Sequence, residues 1–192
     1  TIPYRDSSII SRLFTEDQGK ITVMAKGAWR PKNTTGPLLE PMNHIRLQYY
    51  HKNNRDIQTL KDAELIRQFS IVRSNLYKII IGQAVVETLD KSTPENNSFP
   101  ILYRLVWRIL DKMNNTEENH WIVFSFYLYQ LSLRLGFKPN LQTCGHCQSI
   151  ISHAFIDDNT GELICQKCTP KGALHLNNNN LIFLQNLENL HL

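Results

Sequence analysis

Four cysteines, the only ones in the chain, form two C-x-x-C pairs separated by seventeen residues: Cys144 with Cys147, and Cys165 with Cys168. A tetrahedral zinc ion takes four thiolates at about 2.3 Å, and two pairs at this spacing typically supply them. The intervening sequence favours strands at 154–156 and 162–164, joined by turn-forming residues 157–161. The pattern therefore predicts a zinc ribbon that holds one structural Zn²⁺ ion.

Other uses of the cysteines remain open. Two disulfides suit a disulfide-dense secreted chain, a redox C-x-x-C is usually a single motif near a βαβ pattern, and the thiols could also be idle. His146 lies inside the first pair and could replace a thiolate. A solvated side chain on the turn between the two cysteines is the simpler interpretation. A four-thiolate site has no open coordination position, so the pattern favours a structural metal and predicts no catalytic residue.

The basic residues are concentrated at the start of the chain. Residues 1–55 carry nine Lys/Arg against four Asp/Glu, whereas the remaining residues carry twelve against thirteen. The net charge of +4 is therefore the sum of +5 and −1. Such asymmetry indicates a polyanionic partner, although a merely solvated basic surface would give the same count.

The hydrophobic pattern changes its period along the chain. Short strands are predicted at 9–14, 21–26, 43–50 and 57–60, with turns at 15–19 and 53–56, which indicates a small barrel or sandwich. From about residue 62 the apolar residues recur at helical spacing. Residues 121–135 are apolar on two faces, which predicts a helix at the centre of a bundle.

The composition, the longest apolar run and the chain ends give further expectations. A content of 42 % hydrophobic and 20 % charged residues is ordinary for a globular protein. The longest apolar run, 121–135, is too short and too polar to span a bilayer, so a cytoplasmic location is expected. The chain opens on turn-forming residues instead of a strand and stops within an apolar helical pattern, so it is expected to be incomplete at both ends.

Several ordered segments are similar to a known family. They are Tyr4-Arg5-Asp6-Ser7-Ser8, the run from Leu13 to Lys20, the run from Ala25 to Lys32, Leu38-Leu39-Glu40-Pro41-Met42, Asp62-Ala63-Glu64-Leu65, and the run from Gly136 to Leu141 that leads into the first cysteine pair. In this order and spacing they resemble RecO, the bacterial recombination mediator family. The resemblance covers nearly the whole chain.

The resemblance implies an α+β architecture, an N-terminal OB-fold β-barrel followed by an α-helical domain with an inserted four-cysteine zinc ribbon. It assigns 1–66 to the OB-fold with its first strand missing, and 139–171 to the ribbon. Residues 67–138 and 172–192 then form the helical domain, whose C-terminus is truncated.

The resemblance also implies a function in recombinational repair of DNA damage. Such a protein binds single- and double-stranded DNA, anneals complementary strands, and has no enzymatic turnover. It engages the acidic C-terminal tail of the single-strand-binding protein SSB and, with RecR, helps to load RecA onto SSB-coated DNA. The expected location is the bacterial cytoplasm, at the nucleoid.

An OB-fold binds strands with a basic groove and stacking aromatic rings. The residues predicted to contact DNA are therefore Lys26, Arg30, Lys32, Lys20, Arg12, Arg46 and Trp29. Trp29 could equally be a core residue at the end of the barrel. Strand alternation predicts that one of Tyr49 and Tyr50 points inward.

Two other functions are weighed against this one. A zinc-ribbon adaptor would act mainly through protein–protein contacts, with the basic barrel meeting acidic protein tails. A metal-dependent enzyme is disfavoured because four thiolates leave no position for water or substrate. The Walker A loop, H-E-x-x-H and G-x-S-x-G motifs are also missing from the sequence.

Overall fold

The structure is a computed structural model that describes residues 1–117, 119–138 and 140–190. The chain divides into two compact units, Thr1–Tyr127 and Leu128–Leu192. Residue 139, where the ribbon is predicted to begin, lies outside the described residues.

The first unit begins with a five-stranded sheet of order β1-β2-β3-β5-β4. Its strands are β1 (Ile2–Tyr4), β2 (Ser8–Thr15), β3 (Gly19–Ala25), β4 (Asn43–Tyr50) and β5 (Ile57–Gln68). Neighbouring strands are antiparallel except β3 and β5, which run parallel. A five-stranded sheet with this crossover is consistent with an OB-fold, a partly open Greek-key barrel. Among the described ladders none joins β1 to β4, so closure of the barrel stays a prediction.

One side of this sheet is apolar because its strands alternate. Ile9, Ala25, Ala28 and Leu39 are buried, and Leu13, Ile45 and Leu60 pack against them. At the β2–β3 turn, Gly19 adopts a φ of +66°, and a Cβ there would lie 1.8 Å from the carbonyl oxygen of Asn97. Only glycine allows the two backbones to approach this closely.

Helices follow the sheet. A short helix α1 (Thr35–Leu38) lies between β3 and β4, and α2 (Ser70–Ser74), α3 (Leu76–Ser92), α4 (Pro100–Asn115) and α5 (His120–Arg134) follow β5. Asn75 caps α3, since its side-chain oxygen accepts hydrogen bonds from the backbone N–H groups of Tyr77 and Lys78. None of the helices in the described part of the chain is long and apolar enough to cross a membrane.

The second unit contains a three-stranded sheet of order β7-β6-β8, in which both pairings are antiparallel. The strands are β6 (Ala154–Ile156), β7 (Leu163–Cys165) and β8 (Leu174–Leu176), and they precede α6 (Asn178–Leu187). The apolar side chains of Leu163, Ile164 and Leu181 are buried together in this unit.

The expected α+β class with a strand-rich N-terminal part and a later helical region is confirmed. Three local expectations were wrong. Residues 2–4 form a strand, not a turn, and β5 continues to Gln68 where helical spacing was expected from about residue 62. Helix α5 is not buried on all sides, because Trp121, Ile122 and Leu128 are exposed.

Candidate metal centre and nucleic-acid interface

The four cysteines converge on one point of the second unit. All four Sγ atoms lie within 4.8 Å of one another, and those of Cys147 and Cys165 are 3.7 Å apart. A disulfide would need about 2.05 Å, and all four thiols are free. Four sulfurs placed tetrahedrally at about 2.3 Å from a metal would be separated by roughly 3.8 Å. The donor set therefore fits a single metal ion that prefers thiolates.

The ribbon fold brings the two C-x-x-C pairs together. In the β6–β7 ladder Ala154 is opposite Cys165, which places the first cysteine of the second pair beside β6. Across the ribbon, the backbone N–H of Gly145 donates to the carbonyl oxygen of Leu163 at 2.9 Å, and that of Cys165 donates to Sγ of Cys144 at 3.3 Å. The predicted hairpin is confirmed, with its second strand one residue later than expected.

The local electrostatics favour binding of a cation. Burial alone would raise the pKa of the Cys144 thiol, but backbone N–H groups of Cys147, Cys165 and His146 lower it to about 6. The pKa of Cys168 is raised to about 12 by the neighbouring sulfurs of Cys147, Cys165 and Cys144 and by burial. Several thiolates this close repel each other, and a bound cation would remove that repulsion.

His146 is not among the converging ligands. Its Nε2 lies 3.0 Å from Oδ2 of Asp157, so the ring is held by a carboxylate instead of being freely solvated. Asp157 also forms the expected turn, because its Oδ1 accepts from the backbone N–H of Asn159 and its carbonyl accepts from Gly161. The pKa of Asp157 is lowered, first by the Asn159 N–H and then by His146.

The predicted DNA-binding residues separate into three groups. The first follows the end of β3: Lys26, Trp29, Arg30 and Lys32 are all exposed. The backbone N–H of Arg30 donates to the carbonyl of Gly27 at 3.0 Å, which folds this segment into a turn. The ring of Trp29 covers Gly36 on one side and is 54 % exposed, so it combines a packing role with an open face. Within the described residues, the three cations of this group have no carboxylate partner.

Arg12 and Lys20 are directed toward acids of the helical region. Arg12 forms ion pairs with Asp90 and Glu95. Lys20 is buried, and its Nζ donates to the carbonyl oxygens of Asp90 and Thr93, both at 2.7 Å. The prediction that Lys20 contacts DNA is not supported by this placement, because its charge is satisfied inside the protein.

Arg46 is placed on the β4–β5 ladder. It lies directly opposite Glu64, and its guanidinium is 3.2 Å from that carboxylate. Both side chains are exposed, so solvent screens the pair and Arg46 keeps access to a phosphate, though beside a negative charge.

Sequence reasoning missed a second cationic group. Lys26 lines an open cleft together with Tyr50, Lys52 and Arg55, residues at the end of β4 and in the turn before β5. The turn at 53–56 was predicted, and the cations Lys52 before it and Arg55 within it were a usable signal. What the sequence does not show is that β3 and β5 are neighbours in the sheet, and that Lys26 and this turn line one cleft.

Together, the sheet, the helices and the four-sulfur centre define an α+β protein with a basic β-domain and a ribbon whose four cysteines could hold a metal ion. Family models assign the particular family. The model of the Recombination protein O N-terminal region matches residues 1–69, and that of the Recombination protein O C-terminal region matches residues 73–192. The chain belongs to the RecO family.

Individual relatives agree with this assignment. Proteins named DNA repair protein RecO from Salinibacter ruber and Prosthecochloris aestuarii are 36 % and 32 % identical over 139 and 143 residues, or 72 % and 74 % of this chain. The protein of that name from Listeria monocytogenes is 28 % identical over 194 aligned positions, covering 97 % of this chain and 75 % of the relative. The chain spans about half the length of the first two relatives, 54 % of each.

Proposed function

We propose that the protein binds DNA as a recombination mediator in the repair of DNA damage. The observation that carries the proposal is the exposed group of Lys26, Arg30 and Lys32 beside the open face of Trp29, in a chain of the RecO family. Unpaired cations near a backbone neutralise phosphates, and an exposed ring can stack on a base for roughly 1–3 kcal/mol.

Strand annealing follows from the same chemistry. Two complementary strands repel each other through their phosphates, and cations on the protein reduce that repulsion before base pairing provides the free energy. Neither step needs a nucleophile or a general base, so the proposed role is one without enzymatic turnover. We propose single- and double-stranded DNA, the acidic tail of SSB and RecR as partners, with RecA loaded onto SSB-coated DNA as the outcome.

The metal has a structural role in this proposal. One Zn²⁺ ion held by Cys144, Cys147, Cys165 and Cys168 would clamp the ribbon, since four thiolates complete a tetrahedral shell. The proposed location is the bacterial cytoplasm, at the nucleoid, where the DNA substrate lies.

Annealing on SSB-coated DNA tests the proposal. We expect the protein to accelerate annealing of complementary SSB-coated strands, and the Lys26→Ala, Arg30→Ala, Lys32→Ala triple variant to lose most of that acceleration. A matched control removes three exposed cations elsewhere, Lys61, Lys91 and Arg108, and should retain it. Equal annealing with the triple variant and the wild-type protein would contradict the proposal.

One observation favours a second function, an adaptor that acts through protein contacts. Leu76, Tyr77 and Ile80 are exposed next to one another at the start of α3, and exposed apolar clusters commonly mark protein interaction sites. An SSB pull-down that is abolished in a Leu76→Ser, Tyr77→Ser variant, without measurable DNA binding by the wild-type chain, would favour this alternative.

A further inference from the structure

We infer that Tyr50 and the β4–β5 turn form a preformed site for one nucleotide of a single strand, and that Gln58 is the positioning residue of this site. The inference rests on the proposed DNA-binding function and adds to it a preference for single strands. It assigns roles to residues at a distance in sequence from the Lys26–Lys32 segment.

The site is an open cleft with a volume of about 320 Å³. Its cationic and aromatic lining comes from Lys26, Tyr50, Lys52 and Arg55, and the remaining lining residues are Ile57, Gln58 and Thr59. The Tyr50 side chain is 57 % exposed, whereas Tyr49 points to the opposite face and is half-buried against His51. The cleft thus offers one aromatic face between three cations.

Gln58 fixes the shape of this turn. Its Oε1 accepts from the backbone N–H of Lys52 at 2.8 Å, and its Nε2 donates to the carbonyl oxygens of Lys52 at 3.1 Å and Arg55 at 2.6 Å. Gln58 is 8 % exposed, so these bonds are shielded from competing water. A turn backbone tied at both ends loses less conformational entropy on binding, which lowers the cost of placing its cations.

The arrangement suits a single strand better than a duplex. A base can stack on Tyr50 only if its face is free, and the bases of a duplex are already stacked on each other. The flanking Lys26, Lys52 and Arg55 would meet the phosphates on either side of the stacked base. Phosphate contacts serve both forms of DNA, so the preference arises from the Tyr50 ring alone.

The test compares two fluorescent probes, an oligo-dT strand and a duplex of the same length, using the full chain. We expect Tyr50→Leu to weaken oligo-dT binding by roughly 5- to 100-fold and to leave duplex binding unchanged. Tyr50→Phe keeps the ring and should behave as the wild type. Trp121→Leu removes another exposed aromatic side chain, on α5, and should change neither affinity.

The positioning role of Gln58 has its own readout. Gln58→Leu should lower oligo-dT affinity and increase amide hydrogen exchange at residues 52–55. Gln58→Glu should restore neither, because its carboxylate cannot donate to the carbonyl oxygens of Lys52 and Arg55. If Gln58→Leu increases exchange but leaves oligo-dT affinity unchanged, Gln58 is not a positioning residue.

The outcomes separate the proposed function from the single-strand site. Failure of the wild-type chain to bind either probe overturns the proposed function. Binding of both probes, with Tyr50→Leu leaving the ratio of the two affinities unchanged, overturns the single-strand site while the proposed function stands. Because Tyr50 is exposed, its substitution is not expected to prevent folding, so the comparison can be made even if the Gln58 variants do not fold.

Discussion

Lys20 donates from Nζ to the carbonyl oxygen of Thr93 at 2.7 Å, joining the β2–β3 hairpin to the segment after α3. The same ammonium lies 3.4 Å from Asp90 and 3.8 Å from Glu95. A buried cation with these partners acts in folding, because its removal leaves buried acceptors unpaired.

Substitution of Lys20 should therefore affect stability more than DNA binding. We expect Lys20→Met to lower the free energy of unfolding by about 1–3 kcal/mol, since the carboxylates are partly exposed and only the carbonyls are fully deprived of a donor. The measurement is the urea midpoint, with the exposed Lys61→Met as control. A Lys20→Met variant that is as stable as this control but binds DNA more weakly would show that Lys20 contacts DNA.

Substitutions of Cys144 and of His146 are expected to differ in their effect on zinc binding. We expect one zinc ion per wild-type chain by mass spectrometry of the metal, loss of that zinc in Cys144→Ser, and retention in His146→Ala, because His146 contacts Asp157 instead of the sulfur cluster. Removal of zinc by a chelator should also expose the ribbon to protease, since structural zinc contributes folding free energy. Zinc loss in His146→Ala, with zinc kept in Cys144→Ser, would contradict the ligand assignment.

The stability of the first unit should decrease at mildly acidic pH because of His44. Its Nε2 lies 2.8 Å from the Tyr103 hydroxyl, and burial, followed by the charge of Arg67, lowers the pKa of His44 below its ordinary value of 6.5. The unfolded state then binds the proton more readily than the folded state does. The contribution of His44 to folding stability is therefore present above pH 6.5 and is lost as the pH falls through the lowered pKa.

The measurement for His44 is the urea midpoint at neutral pH and at a pH below 6.5. We expect His44→Gln to show a smaller decrease on acidification than the wild type, and the exposed His153→Gln to show the wild-type decrease. An identical acid response in His44→Gln and wild type would assign the effect to other groups.

The sequence predicts features that depend on local pattern and misses those that depend on distant partners. Strand β4 was predicted with its observed ends, 43–50, because alternation and flanking turns define it locally. The C-x-x-C spacing identified all four converging thiols. Strand β8 was missed because no hairpin turn links it to its partner β6, since β7 lies between the two in sequence.

The candidate DNA interface was predicted less completely. Charge density pointed to the first quarter of the chain, but it could not distinguish an open cation from one paired across the fold. Lys20 is satisfied by Asp90, seventy residues away in sequence. Lys52 and Arg55 line one cleft with Lys26, in a sheet where β3 and β5 are neighbours although they are distant in sequence.

The most direct test of the DNA-binding account is the dependence of DNA affinity on salt concentration. The logarithm of the affinity falls linearly with the logarithm of salt concentration, and the slope decreases by about 1 for each phosphate that the protein no longer neutralises. We expect the triple variant of Lys26, Arg30 and Lys32 to have a slope lower by about 3 than wild type, and the triple variant of Lys61, Lys91 and Arg108 to have the wild-type slope. Equal slopes for the two triple variants, which have the same net charge, would contradict the account, because binding would then follow total charge and not the exposed group after β3.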